Sequence, residues 1–299
     1  MKVIKIFLSV VILSLMFSLF GCFKQGEKMP KGNGEDIEVI ILLGQSNASG
    51  CSRVSYLDQL DDEEYNLLKK GLNNVFIDYS VDGQNISNKF VKVTMGYGTN
   101  TDYFGPELGM AKIFNKSLNR KIAIIKYTWG GTALGTLWYH HADGNGQLFD
   151  GFLNFFKDSI KRLEDLNYHP IVTDICFMQG ESDCFDGLEA RYFDELSSFV
   201  EGLRAELAPY TKYGLYFIDA FISDSIFWTK YQEINEAKEQ FASLSPFNIV
   251  IDTIGAGLTY DQEPTNSPDL AHYDALSELK LGELFADAIL NKEEVILDD

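Results

Sequence analysis

Ser46 stands between two amides in Gly44-Gln45-Ser46-Asn47, directly after an apolar run over residues 37–43. An apolar run of that length reads as a buried strand. A serine just past the C-terminal end of a parallel strand lies where open α/β sheets bind ligands. Its hydroxyl becomes a nucleophile only when a base takes its proton and donors hold the oxyanion that forms. Alone, the same residues suit a plain Ser/Asn turn that caps a helix.

Three further segments carry residues of the missing types. Lys126-Tyr127-Thr128-Trp129-Gly130-Gly131-Thr132 ends another strand-like run. Paired glycines let backbone approach a ligand closely, and one N–H of Gly130 or Gly131 would suit an oxyanion. An ordinary strand-to-loop turn has the same composition. Trp138 follows, either as a pocket wall or as packing. Phe177-Met178-Gln179-Gly180-Glu181-Ser182-Asp183 is a third strand end, where the Gln179 amide is placed to donate to an oxyanion. Glu181 and Asp183 also read as a carboxylate pair for glycoside hydrolysis, but two positions apart on one loop they are poorly placed to flank a sugar. A structural hydrogen-bonding role is the reading adopted for both, with Asn47 and Glu181 supporting the site. Finally, Asp269-Leu270-Ala271-His272 puts a carboxylate three residues before one of only four histidines. That spacing lets Asp269 hold one ring nitrogen while the other faces outward, as in serine hydrolases generally. An N-terminal helix Asp beside a surface His has the same pattern. His140, His141 and His169 lie in connections.

These segments need a sheet to bring them together. Strand-like runs recur at 37–43, 121–127, 171–178, 214–220 and 248–252, with helical periodicity at 106–118, 149–166, 188–207, 229–244 and 273–290. Alternating apolar strands and helices imply a parallel sheet covered on both faces. Pro106 suits a first helical position. Residues 52–103 fit less well and read as an insertion, with an acidic helix near 58–70 and a small β-hairpin from 75–78 and 90–94. There is no Gly-x-Ser-x-Gly elbow of the α/β-hydrolase type and no phosphate-binding glycine loop.

The chain has 299 residues, 45% hydrophobic, and a formal charge of −19. That is enough for one large α/β domain, and such acidity argues against nucleic acid as a partner. Lys2 and Lys5 precede an apolar stretch over 6–20 and then Gly21-Cys22, the pattern of an export signal, short of the about 20 residues a bilayer-spanning helix needs. Leu19-Phe20-Gly21-Cys22 resembles a bacterial lipobox. Residues 1–21 are therefore expected as a lipoprotein signal, Cys22 as the lipidated residue, and 22–36 as a flexible tether. Phe23 after the cysteine resembles the pattern sent to the outer membrane. The expected location is an exported lipoprotein at the outer membrane or cell surface, or on the periplasmic side, held to the membrane by its lipid alone. Cys51, Cys176 and Cys184 remain. Cys176 reads as a buried free thiol, and pairing of Cys51 with Cys184 is left open. No Cys/His spacing suggests zinc.

Taken in order, the Gly-Gln-Ser-Asn turn, Gly-Gly-Thr with a following Trp, Gln-Gly-Glu-Ser-Asp and the late Asp-x-x-His resemble the sialate O-acetylesterase-like branch of the SGNH hydrolases, which also includes acetylxylan esterases. Phe104-Gly105-Pro106-Glu107-Leu108 resembles another recurrent segment of that branch. The likeness runs from about residue 39 to 288. It implies a three-layer α/β/α sandwich with a flavodoxin-like five-stranded parallel sheet, within a domain over 37–299. It also implies ester hydrolysis through an acyl-enzyme, with neither metal nor cofactor. Carried over by residue, Ser46 is the nucleophile, His272 the base and Asp269 its orienting acid. The oxyanion hole would use the Ser46 N–H, an N–H of Gly130 or Gly131, and the Gln179 side chain. Ala48 and Met178 depart from the branch, where a methionine and a His or aromatic residue are common. The expected activity is release of acetate from an acetylated glycan of unspecified kind. The alternatives are a non-catalytic glycan-binding surface lipoprotein and a glycoside hydrolase using Glu181.

Overall fold

The computed structural model describes residues 26–138 and 146–292. The export signal, Cys22, His140 and His141 lie outside the described residues. Six strands run parallel: β1 (Asp36–Gly44), β2 (Val75–Val81), β3 (Ile122–Thr128), β4 (His169–Met178), β5 (Tyr216–Ala220) and β6 (Asn248–Ile251), in the spatial order β2-β3-β1-β4-β5-β6. The five expected strands are all present. Without β2 their order is that of flavodoxin. Val39 to Leu43 of β1 are wholly buried, which is why the strand reads as a continuous apolar run: it has neighbours on both edges and helices on both faces.

The helices are α1 (Asp62–Lys70), α2 (Pro106–Ser117), α3 (Gln147–Asp165), α4 (Tyr192–Leu207), α5 (Tyr231–Ala242) and α6 (Ala275–Asn291). Successive side chains of a strand face opposite ways. Lys126 of β3 accordingly reaches Glu107 of α2, while Tyr127 packs on Phe152 and Phe155 of α3. The sheet is thus the middle of three layers, with α2 and α6 packed together on one face. The ring of Phe199 on α4 meets Phe149 of α3 and Phe177 of β4 on the other face.

Two stretches differ from the sequence reading. The insertion contributes β2, a full parallel strand beyond β3, and the expected hairpin contact appears on its outer edge, where Val91–Lys92 and Asn85–Ile86 pair antiparallel to it. Residues 26–35, expected within the tether, are tied to the domain. Lys28 bridges to Val91, Met29 N–H donates to Phe90 O at 3.0 Å, and Gly32 N–H donates to Leu166 O at 2.8 Å. At Lys28 and Met29 the cause is the open edge left by the short outer strand, whose backbone groups take the passing chain as a partner, and at Gly32 it is the free carbonyl past the C-terminus of α3.

Helices α2 and α6 cross at two glycines. A Cβ at Gly109 would stand 1.9 Å from Leu279 O, and one at Gly282 would stand 1.9 Å from Pro106 O. Those neighbours are backbone and cannot swing away. Gly109→Ala is therefore expected to destabilise despite alanine's helix preference of about 1 kcal/mol. The expected loss is about 1–3 kcal/mol, read in thermal denaturation as a fall in Tm of about 2–12 °C.

Candidate active site

Register puts four strand ends on one level. Gly44 pairs with Thr128 on one side and Met178 on the other, and Val81 pairs with Thr128. Chain order reverses at β1: the chain passes outward to β2 and β3, then crosses to β4. This is the switch point at which open α/β sheets leave a crevice. Residues just beyond these ends, namely Ser46, Asp82, Gly130 and Gln179, share one rim. Gly44 has φ +137°, and a side chain there would meet Met178 O at 2.0 Å. The chain can turn out of the sheet this tightly only because that residue is glycine.

Ser46 opens a single helical turn, Ser46–Ser49, and is half-buried. Asn47 is buried beside it. Its Nδ2 donates to Glu181 Oε1 at 2.7 Å and to Ala271 O at 3.4 Å, while its Oδ1 accepts from Tyr273 N–H at 3.2 Å. The residue after Ser46 thus clasps the residues before and after His272. Ser52 Oγ reinforces this contact by donating to Tyr273 O at 2.6 Å. His272 Nδ1 and Asp269 Oδ2 lie 2.7 Å apart, with the imidazole largely covered and the carboxylate half exposed. The chain therefore brings Ser46, Asn47, Glu181, Asp269 and His272 into one neighbourhood from positions far apart in sequence.

Gln179 is placed differently from the sequence reading. It is fully buried, and its Nε2 faces Thr132 O at 3.0 Å, Gln45 Oε1 at 3.3 Å and the Asp183 carboxylate. With both N–H groups engaged, it ties the Gly-Gly-Thr loop to the end of β4 and has no donor left for an oxyanion. Asp183 completes that tie by accepting from Leu134 N–H. Glu181 and Asp183 both point inward, with none of the separation that a pair flanking a glycosidic bond requires. Gly130 lies against Ser46: a Cβ placed on it would stand 3.6 Å from Ser46 Cβ. Its N–H donates to Asp82 Oδ1 at 2.7 Å. Gly131 is exposed, with φ +67°, and its N–H and that of Ser46 take no acceptor among the described residues.

Asp82 and Gln45 were not singled out by the sequence. Gln45 carries a signal, as the amide before the serine, and its Oε1 accepts from both Gln179 and Ser182 N–H. Asp82 carries none; only the pairing of Val81 with Thr128 reveals it. Cys51, Cys176 and Cys184 are all free thiols. A hollow of about 490 Å³ lies at the opposite end of the strands, lined by Glu35, Ile37, Arg120 and Tyr168 among others, without a serine, cysteine or histidine.

Residues 36–291 match the family model for carbohydrate esterases described as sialic acid-specific acetylesterase. No curated protein matches the chain. Among solved structures, a protein from Arabidopsis thaliana is similar at 19% identity and TM-score 0.63, covering 86% of this chain and all of that one. NanS is similar at 15% identity and TM-score 0.60, covering 88% and 98%. A carbohydrate acetylesterase from Xanthomonas citri is similar at 18% identity and TM-score 0.51, covering 86% and 57%. These likenesses concern the fold.

The ground beneath the rim is acidic and buried. Burial pushes the Asp183 carboxyl up to about 7, against the pull of Gln179 and Leu134 N–H. Burial likewise raises Asp219 to about 6 against the pull of Lys238. Burial also raises Glu181, opposed first by its bond from Asn47, and raises Glu278 far above the usual carboxylate range. A carboxyl whose pKa rises on folding binds its proton more tightly in the native state than in the unfolded chain. The native state is then favoured at low pH, and that advantage disappears as pH climbs through the folded pKa. The exposed carboxylates held down by lysines, Glu27 and Glu233, act in the opposite sense but are screened by solvent. The urea midpoint is expected to fall between pH 5 and pH 8, corresponding to a loss of at least about 1 kcal/mol. An equal or higher midpoint at pH 8 would contradict this reading of the buried acids.

Proposed function

Because the chain belongs to the carbohydrate esterase family of sialic acid-specific acetylesterases, which it matches over residues 36–291, we propose that it hydrolyses acetyl esters of a glycan through a Ser46–His272–Asp269 triad. The observation that supports this reading is the Asn47 clasp, which ties the residues on either side of His272 to the residue next to Ser46 while Asp269 holds one ring nitrogen of His272. Ser46 Oγ attacks the acetyl carbonyl as the free nitrogen of His272 takes its proton. Asp269 keeps the tautomer and steadies the imidazolium. The N–H groups of Ser46 and Gly131 receive the oxyanion, because the Gly130 N–H is occupied by Asp82 and Gln179 is engaged elsewhere. The imidazolium returns its proton to the departing sugar oxygen and leaves an acetyl-Ser46. A water deprotonated by His272 then releases acetate.

The rim beside His272 suits a sugar. Phe185 and Phe227 are exposed and pack their rings on Trp228, and Ser225 Oγ of that loop donates to Leu270 O at 2.6 Å, two residues before His272. Anchoring through Cys22 remains part of the proposal, tested by incorporation of labelled fatty acid into the exported chain and its loss in Cys22→Ala.

Ser46→Ala is expected to abolish acetate release from acetylated xylan or a nitrophenyl acetate while circular dichroism stays unchanged. Asp269→Ala should cost about 10²–10⁴ in kcat. A fluorophosphonate should label the wild type at Ser46, whereas a glycan-binding protein without the reaction would stay unlabelled. Undiminished turnover in Ser46→Ala removes the serine mechanism.

A further inference from the structure

The carboxylate of Asp82 sits where an esterase has most to lose from stray negative charge. A Cβ on Gly130 would lie 3.6 Å from Ser46 Cβ and 3.7 Å from Asp82 Oδ1, so the nucleophile and this carboxylate flank the same face of one residue. Asp82 is fixed there. Its N–H donates to Thr128 O at 2.9 Å, its Oδ1 accepts from Gly130 N–H, and its backbone is left-handed at φ 52°. Aspartate tolerates that conformation better than most side chains. Its Oδ2 takes no partner among the described residues and is left to accept from a hydroxyl.

The exposed carboxylate beside His272 has the same sign: Asp269 is half exposed. The two lysines that reach this end of the sheet, Lys126 and Lys238, are wholly buried and neutralise Glu107 and Asp219. Both ammonium groups are thus committed in the interior and are not available to receive a carboxylate on the substrate.

We propose, building on the esterase reading, that Asp82 is a specificity-determining residue that selects acetyl esters of uncharged sugars and rejects those of anionic sugars such as sialic acids. Its charge repels a substrate carboxylate, and its free oxygen accepts from a sugar hydroxyl near the ester. Asp82 also opposes the oxyanion that every ester forms at Ser46. That effect is common to all substrates and cancels in a ratio of kcat/KM values, whereas the substrate's own charge does not.

The test compares a neutral acetylated xylo-oligosaccharide with an O-acetylated sialic acid in the wild type and in Asp82→Asn. Asparagine keeps the size, the left-handed backbone and an acceptor for Gly130 N–H, and it removes only the charge. The wild type should favour the neutral ester, and Asp82→Asn should shrink the preference about tenfold. In the wild type, raising ionic strength should narrow the same preference, because screening acts on the repulsion of the anion. This second measurement needs no variant. A preference unchanged within about twofold in Asp82→Asn, or insensitive to salt, overturns the assignment while leaving the esterase intact. A wild type that hydrolyses neither ester sinks the esterase reading, and the assignment falls with it.

Discussion

The side-chain amide of Asn47 is the junction on which the site depends. One end donates to Glu181 and to Ala271 O, and the other accepts from Tyr273 N–H. Ser46 and His272 are each covalently next to a clasped residue, so this amide sets how far apart they stand. Aspartate could not donate, and glutamine would move the contacts by a methylene. Its partner Glu181 is wholly buried, with Oε2 meeting no protein donor. Burial raises the pKa of this carboxyl, opposed first by the bond from Asn47, and the Oε1 that Asn47 reaches can accept in either protonation state.

Two buried lysines keep the rim's backbone in place around that junction. Lys126 Nζ donates to Ser49 O, Tyr97 O and Glu107 Oε2, and Lys238 Nζ donates to Gln179 O, Ala220 O and Asp219 Oδ1. An ammonium has three N–H groups, and here each one meets an acceptor. Removing either partner of such a pair leaves an uncompensated charge in the interior. Each lysine therefore draws loop carbonyls toward the edge of the sheet, Lys126 behind Ser46 and Lys238 behind Gln179. The functional loops rest on rigid elements and inherit their precision.

Much of this was legible in the chain. Strands buried on both faces read as unbroken apolar runs, and Pro106 marks the start of α2. The Gln-Ser-Asn, Gly-Gly-Thr and Gln-Gly-Glu segments announce strand ends, and Asp-x-x-His precedes the last helix. The rest depends on partners remote in sequence. Asp78 and Ser80 interrupt the apolar reading of β2, yet both are buried, and Asp78 is satisfied by Ser87, Ser159 and Arg162. Residues 26–35 look like a linker because their bonds are made by backbone, which composition does not record. The identity of Gln179 was visible but the direction of its amide was not, since that is decided by Thr132 and Asp183.

Asp82 shows why the insertion cannot be treated as a detachable specificity loop. Its turn is held on three sides by the end of β3: Thr128 O accepts the Asp82 N–H, Gly130 N–H donates to the carboxylate, and the Trp129 ring lies against Gly83. The turn is thereby bound to the glycine that abuts Ser46. A shift of the turn to suit a different sugar also shifts Gly130, and with it the N–H of Gly131 that follows. In the proposed reaction these contacts would couple binding to rate. Substitutions in this insertion should therefore move kcat together with KM, unlike substitutions in a loop that touches the substrate alone.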